Sequence, residues 1–458
     1  MFGLRHGGFR RRAMLASTAL VSAAMLLPGP ASGQDASWTG GACGDFGNGG
    51  SWSTGSTPTG TATFGASGQT SVTIANDRTL DAFVFQAGAP AYTLTLSPAG
   101  GGLARLFLNG AGFTNLSGAI QTMHVDSAAG VAQVYLYNSA SAAGMNFTGG
   151  IAGTVALFND ATLGNATLDN VLVRPHDNAN LGSATLTNIR ELESFGLPGT
   201  AGHTVSFGTA TISTALFGQI RIYGESTAAA SRITLGLASW FQLLDNSNGG
   251  TARIDLAGAN SEFLLDALTF TRTDVTIGSI AGSASSQVRL GGAAQTLTVL
   301  EGGGTFAGVI SGGGNVVFRG SGTTILTGDN TYTGTTTIEG GSLQLGDGGT
   351  TGSVQGDITF VGGGGTLAFA RSDDLTYAGT ISGANNLTQR GPGRLTLTAA
   401  QSYFGTTSVE GGTLVFGDAA RLPDARLVVN GGTLDLSGMA GAPPSPTNLS
   451  GTGGVIAL

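Results

Sequence analysis

Residues 305–347 read TFAGVISGGGNVVFRGSGTTILTGDNTYTGTTTIEGGSLQLGD, and residues 376–418 read TYAGTISGANNLTQRGPGRLTLTAAQSYFGTTSVEGGTLVFGD. The second stretch follows the first at a shift of 71 positions without a gap, and 22 of the 43 aligned pairs are identical. Glycine is the commonest of the identical residues, and glycine marks positions where the backbone turns tightly. The last third of the chain is therefore predicted to consist of repeats.

A shorter unit lies inside the long repeat. The string Gly-Gly-(Ser/Thr)-Leu begins at Gly340, Gly364, Gly411 and Gly431, so the steps are 24, 47 and 20 residues. We interpret the middle step as about two units. A unit of about 20 to 24 residues lies in the range of solenoid repeats.

Large apolar residues alternate with small or polar ones after each Gly-Gly pair. Alternation at period two places both large side chains on one face of an extended strand. Strands bounded by glycine corners, with one coil per unit, predict an all-β fold: a right-handed parallel β-helix about 90 Å long at about 22 residues and about 4.8 Å per coil. The side chains predicted to share one core are Leu343, Leu345, Leu367, Phe369, Leu414 and Phe416.

The remainder of the chain has the same composition but weaker periodicity. Glycine supplies 80 of 458 residues, charged residues make up 10%, and all 19 basic residues are arginine. We divide the chain into a signal peptide (1–33), degenerate coils of the same solenoid (34–300) and repeat-bearing coils (301–458), the last with a partial third copy from 449. Candidate strands in the middle region are residues 92–96, 131–136, 185–187, 220–222, 233–235 and 288–290.

The first 33 residues have the features of an export signal. Three arginines at 10–12 precede an apolar run at 13–27, and small residues at 31–33 offer a cleavage site. The apolar run is too short to span a membrane. Removal of this segment takes away four Arg and no acid, so the net charge changes from −8 to −12. A negative, lysine-free surface argues against nucleic acid as a partner.

The C-terminal copies resemble the passenger-associated transport repeat of bacterial autotransporters, the type V secretion proteins. The motif stands as Gly320 to Leu343 and again as Gly391 to Leu414. The opening segment, with Trp38 and Trp52, is also similar to the start of many passengers. The resemblance implies an exported β-helical passenger at the cell surface, in the outer membrane or in the extracellular space.

Autotransporters normally end in a membrane β-barrel, whereas this sequence stops at Leu458. Residues 449–451 are similar to 381–383, as in the opening of a third repeat. Three interpretations of the sequence are open: a truncated product, a fragment, or a passenger exported by an outer-membrane β-barrel supplied elsewhere. The resemblance also implies a second kind of partner, the surface of a host or neighbouring cell.

Residues that carry chemistry are sparse. Three histidines remain after the signal segment, and we expect surface or loop positions for all of them: His124, His176 and His203. A single cysteine, Cys43, cannot form an internal disulfide and is interpreted as a tolerated residue of the first coil. Asp373 and Asp374 are predicted to lie in a turn.

Glu191 and Glu193 would share a face of a strand, because residues two apart point the same way. With Arg190 beside them, we predict a solvated charged edge rather than a catalytic pair. No catalytic, cofactor-binding or metal-binding residue is assigned, and no cofactor is expected.

Two functions remain open at this point. The first is a noncatalytic, adhesin-like or structural surface protein. The second is a polysaccharide-acting enzyme on a pectate-lyase-like β-helix, which requires acids, arginines and an aromatic residue to converge from adjacent coils. The scarcity of acids favours the first, since function depends on a site and not on a fold.

Overall fold

A computed structural model describes residues 33–41, 44–150, 152–195, 204–265, 272–417, 426–439 and 449–458. The predicted signal peptide up to residue 32, Cys43 and His203 lie outside these ranges. Within them the chain is a β-solenoid of about 18 turns, all of its strand ladders being parallel and none of its helices an α-helix. The short helices are 3₁₀ turns at Gly49–Ser51 and Ala99–Gly101.

Each turn contributes to three faces, which we call ladders 1, 2 and 3 in the order in which the chain visits them. Strands of ladder 1 pair from coil to coil along the whole solenoid. They are Ser71–Ile74, Thr93–Leu96, Gln121–Val125, Met145–Gly149, Thr167–Asp169, the starts of Thr185–Ser194 and Thr211–Ile222, Arg232–Thr234, Arg253–Leu256, Ser279–Gly282, Thr305–Phe306, Thr323–Leu326, Ser342–Leu345, Thr366–Phe369, Asn386–Gln389, Thr406–Val409, Arg426–Val429 and Leu449–Ser450.

Ladder 2 follows ladder 1 in every turn. Its strands are the starts of Arg78–Phe85 and Leu103–Asn115, then Val131–Leu136, Thr154–Leu157, Leu172–Pro175, the ends of Thr185–Ser194 and Thr211–Ile222, Trp240–Leu243, Glu262–Leu264, Gln287–Arg289, Val309–Ser311, Leu375–Tyr377, Arg394–Leu397, Thr413–Phe416, Thr433–Asp435 and Val455–Ala457.

Ladder 3 completes the turn. Its strands are Ala36–Ser37, Thr61–Phe64, the ends of Arg78–Phe85 and Leu103–Asn115, Asp274–Ile277, Thr296–Val299, Asn315–Phe318, Thr336–Ile338, Ile358–Phe360, Ile381–Ala384 and Ser402–Phe404. Single bridges continue it between residues 112 and 248.

The inward side chains of the three ladders form one continuous core. All six core residues predicted from the repeats are buried within it. The candidate strands of the middle region are confirmed. Four have bounds within one residue of the predicted ones, whereas 185–187 and 220–222 lie within the longer strands Thr185–Ser194 and Thr211–Ile222. Their inward residues are as fully buried as those of the repeats. At the first coils Trp38, Phe46, Trp52 and Phe64 pack edge to face or tilted at 4.8–6.0 Å.

The interpretation of the 47-residue step as about two units is wrong. The strands that follow Gly340 and Gly364 pair with each other in ladder 1, whereas those that follow Gly411 and Gly431 pair in ladder 2. The step of 47 residues is therefore two turns plus one face. Two turns beyond Leu367 the ladder reaches Thr407 through Leu387, and the chain must round a further corner to reach Leu414.

Many corners between faces contain a residue with positive backbone φ. Five such residues mark the corner between ladders 1 and 2 in the middle region: Asn170, Asn188, Phe217, Ala238 and Asn260, with φ between 52° and 58°. Asparagine tolerates this conformation, whereas a bulky aromatic residue is strained there. Phe217 lies in a bulge of the strand Thr211–Ile222 and is 65% exposed. Its backbone N–H donates to the carbonyl oxygen of Leu237 in the following coil at 3.0 Å.

Candidate functional site

The two carboxylates at 191 and 193 lie on the outer surface of ladder 2, as their spacing predicts. Glu191 accepts a hydrogen bond from Arg174 Nη2 at 2.9 Å, and Glu193 is paired with Arg221 from the following coil. Only 9% of Glu193 is exposed. The prediction of a solvated edge beside Arg190 is therefore wrong for Glu193, which pairs with Arg221 of the following coil and is buried.

Next to these ion pairs runs a stack of aromatic rings, one per coil. Tyr137, Phe158, His176, Phe195 and Tyr223 follow each other at centroid distances of 4.8, 4.3, 4.8 and 6.0 Å, with interplanar angles of 4–14°. Parallel strands in register place equivalent side chains directly above each other, about 4.8 Å apart. Ring faces within the stack are covered by neighbouring rings, so a flat ligand has no free ring face between them. We interpret the stack as a stabilising feature of the coils.

His176 lies inside this stack and not in an isolated surface position. Burial lowers the pKa of His176 to about 4, an effect that the nearby Asp177 opposes and Arg174 reinforces. The ring is therefore neutral at pH 7. His124 is part-exposed on ladder 1, where its Nδ1 lies 3.0 Å from the hydroxyl of Thr148. His203 lies outside the described residues.

The other acidic pair is confirmed as a turn. Asp373 and Asp374 lie in and after a bend between strands. Asp373 accepts hydrogen bonds from Arg371 Nε and Nη2 at 2.9 and 2.8 Å, which lower the pKa of the carboxyl. Within the described ranges no group of three or more His, Cys, Asp or Glu residues is placed to hold a metal ion.

A candidate site that the sequence analysis missed lies on the outer surface of ladder 1. An open cavity of about 370 Å³ is lined by Thr209, Thr211, Ala230, Ser231, Arg232, Thr251, Arg253 and Glu301. Arg232 and Arg253 are direct partners in the ladder and both are exposed. Arg253 Nη2 lies 2.9 Å from Glu301 Oε2.

A signal for this site was present in the sequence. Arg232-Ile-Thr-Leu235 and Arg253-Ile-Asp-Leu256 are 21 residues apart, which is one coil. In such a spacing the two arginines lie side by side on the outer surface while the apolar residues point inward. Glu301 could not be found in this way, since it is 48 residues from Arg253 and reaches it only through the stacking of coils.

Comparison with known proteins identifies the repeats. Residues 319–345 and 387–416 match the family model described as the passenger-associated-transport-repeat, and both matches fall inside the two copies described above. The chain is 36% identical over 170 residues to the adhesin BmaC autotransporter of Brucella suis biovar 1 (strain 1330). The match covers 35% of this chain and spans 5% of the length of that relative.

No solved structure was found to match the chain. Over the residues that the structure describes, no helix is both long and apolar enough to cross a bilayer. The repeat matches and the relative together support an autotransporter passenger.

Proposed function

We propose that this chain is the surface-exposed passenger of an adhesin-like autotransporter, which contacts a host or neighbouring cell without catalysis. The observation that carries the proposal is the pair of passenger-associated transport repeats in a long, regular solenoid. A solenoid presents extended outer faces to a partner. The named function of the Brucella relative agrees with this role.

The alternative, a polysaccharide-acting enzyme, requires a general acid or base within reach of a substrate. The best carboxylate pair of ladder 2 is occupied by ion pairs with Arg174 and Arg221. Such pairing engages both carboxylates with arginines of the adjacent coils. This arrangement favours the noncatalytic role.

The proposed function is tested by measuring exposure of the chain at the cell surface and attachment of the purified chain to cells. The full chain is expressed in its own bacterium, and exposure is measured on intact cells with antibodies and added protease. Purified protein from residue 34 onwards is coated on beads, whose attachment to cells is counted against beads that carry an unrelated solenoid. We expect surface exposure and attachment.

A polysaccharide and peptide substrate screen is run on the same preparation. Reproducible turnover that disappears in Glu191→Gln or Glu193→Gln would refute the noncatalytic role. Absence of attachment, with the chain folded and exposed, would refute the adhesin-like role.

A further inference from the structure

The two arginines of the ladder 1 cavity have an unbalanced charge. Arg232 and Arg253 are partners on adjacent coils, and like charges directly opposite each other destabilise a sheet. Glu301 neutralises Arg253 at 2.9 Å. Among the described residues no carboxylate is paired with Arg232. One guanidinium group is therefore free to bind an anion in a cavity that its partner also lines.

We propose that this cavity binds the anionic group of an acidic polysaccharide, with Arg232 as the principal contact and Arg253 as the second. The proposal rests on the proposed adhesin-like function, for which it names the ligand class. A guanidinium group presents a planar set of donors that matches a carboxylate or a sulfate ester in two parallel hydrogen bonds. The shared chemistry is an oxyanion carried on a sugar.

The remaining lining favours a sugar over other polyanions. Threonines at 209, 211 and 251 surround the arginines, and Ala230 is the one apolar side chain in the lining. Hydroxyl groups suit the many donors and acceptors of a sugar. Protein partners are held mainly by buried aromatic and apolar anchors, and single-stranded nucleic acid by base stacking on aromatic side chains. Neither kind of contact lines this cavity.

The orientation of the cavity also suits a polymer. The lining residues come from successive coils at 209–211, 230–232 and 251–253, so the cavity extends along the solenoid axis at about 4.8 Å per coil. Glu301 closes the side nearest the later coils. This carboxylate competes with a bound anion for Arg253, so its charge sets the affinity.

The experiment measures binding of the mature chain to immobilised polygalacturonate, dextran sulfate, neutral dextran and polyglutamate. We expect binding to one or both sugar polyanions, with the first two arms distinguishing carboxylate from sulfate. The double variant Arg232→Gln/Arg253→Gln should weaken it about tenfold or more, as expected for loss of charged hydrogen bonds. The matched control is Arg190→Gln/Arg319→Gln, which removes the same charge from two other exposed arginines and should leave binding within about twofold.

A second pair of variants tests whether removal of a negative charge strengthens binding. Glu301→Gln should strengthen binding several-fold because Arg253 is released. Glu339→Gln, which breaks the equivalent exposed pair with Arg319, should have little effect. Equal effects of site and control variants would show a general charge effect and overturn the proposal. Binding to polyglutamate alone, or to none of the polymers, would overturn it too.

Bead attachment of the same variants separates the two proposals. Attachment without polysaccharide binding would leave the adhesin-like function standing and refute the ligand. Polysaccharide binding that depends on Arg232 but gives no attachment to cells would retain the site and refute the function.

Discussion

The middle coils, residues 131–265, and the repeat coils, residues 305–417, make the same corners from different residues. In the middle coils many corner positions with positive φ are asparagine or aspartate, for example Asn159, Asn170 and Asn188. Beyond residue 260 every described residue with positive φ is glycine. At corners with positive φ, the solenoid therefore accepts either asparagine or glycine.

Asparagine corners and glycine corners differ in the contacts that they make with the preceding coil. Asparagine corners bond to the preceding coil: Asn170 Nδ2 donates to Gly149 O at 3.0 Å, and Asn188 Nδ2 donates to Asp169 Oδ1 at 2.7 Å. Glycine corners permit closer packing, since a Cβ at Gly412 would lie 2.2 Å from the carbonyl oxygen of Gly393. Low sequence regularity in the middle coils thus reflects a different corner chemistry and not a looser fold.

The largest expected effect tests whether the two regions are equally well packed. Leu186 and Leu343 are fully buried in ladder 1. We expect Leu186→Ala and Leu343→Ala each to lower the free energy of unfolding by about 2–5 kcal/mol. Urea unfolding combined with hydrogen exchange of each region measures both. A cost below about 1 kcal/mol at Leu186 alone would show that the middle coils are the looser region.

The second prediction compares substitutions at a glycine corner with substitutions at an asparagine corner. Gly412→Ala and Gly412→Asn should both cost more than about 2 kcal/mol, because either Cβ collides with a backbone carbonyl group. Asn188→Ala should cost about 1–2 kcal/mol through strain and the lost hydrogen bond. Asn188→Gly should cost less than Asn188→Ala. Thermal unfolding of the four variants gives the order, and a tolerated Gly412→Asn would contradict the close-packing explanation.

The third and smallest effect concerns pH. The pKa of His176 is lowered by burial to about 4, below its ordinary value of 6.5, so between these values the unfolded chain binds more protons than the folded chain. Stability of the middle coils should fall as pH decreases through this window, by at most about 1.4 kcal/mol per pH unit.

The repeat coils contain no histidine and provide an internal reference. His176→Phe, which retains an aromatic ring in the stack, should remove this dependence. Unfolding at pH 7 and pH 5 measures it, and an NMR titration of His176 near pH 6.5 would contradict the burial of the ring.

Sequence patterns predicted the strands because alternation and glycine report local geometry. Residues 131–136 were predicted with the bounds that the structure has, and the six core side chains of the repeats are all buried. The partners of Glu193 and Arg253 were not predicted. Arg221 and Glu301 are 28 and 48 residues away along the chain, and only the register between coils brings them into contact.

The two repeat copies show how far local sequence determines structure. Tyr332 bonds to Thr336 at 2.5 Å, and Tyr403 bonds to Thr407 at 2.6 Å. Ion pairs join Arg319 to Glu339 and Arg390 to Glu410, again at equivalent positions. The sequence by itself determined these four contacts, since each is made within one coil or between adjacent coils.

Only the tertiary structure decided which face each copy occupies. The strand Asn315–Phe318 of the first copy lies in ladder 3, and its equivalent Asn386–Gln389 lies in ladder 1. Three turns along ladder 3 lead from Val316 to Ile381, and the equivalent Leu387 is six residues further on. The second copy is therefore rotated by one face about the axis. The number of residues in each coil sets this rotation. That number is fixed by the register of the hydrogen bonds between coils and not by the length of the repeat.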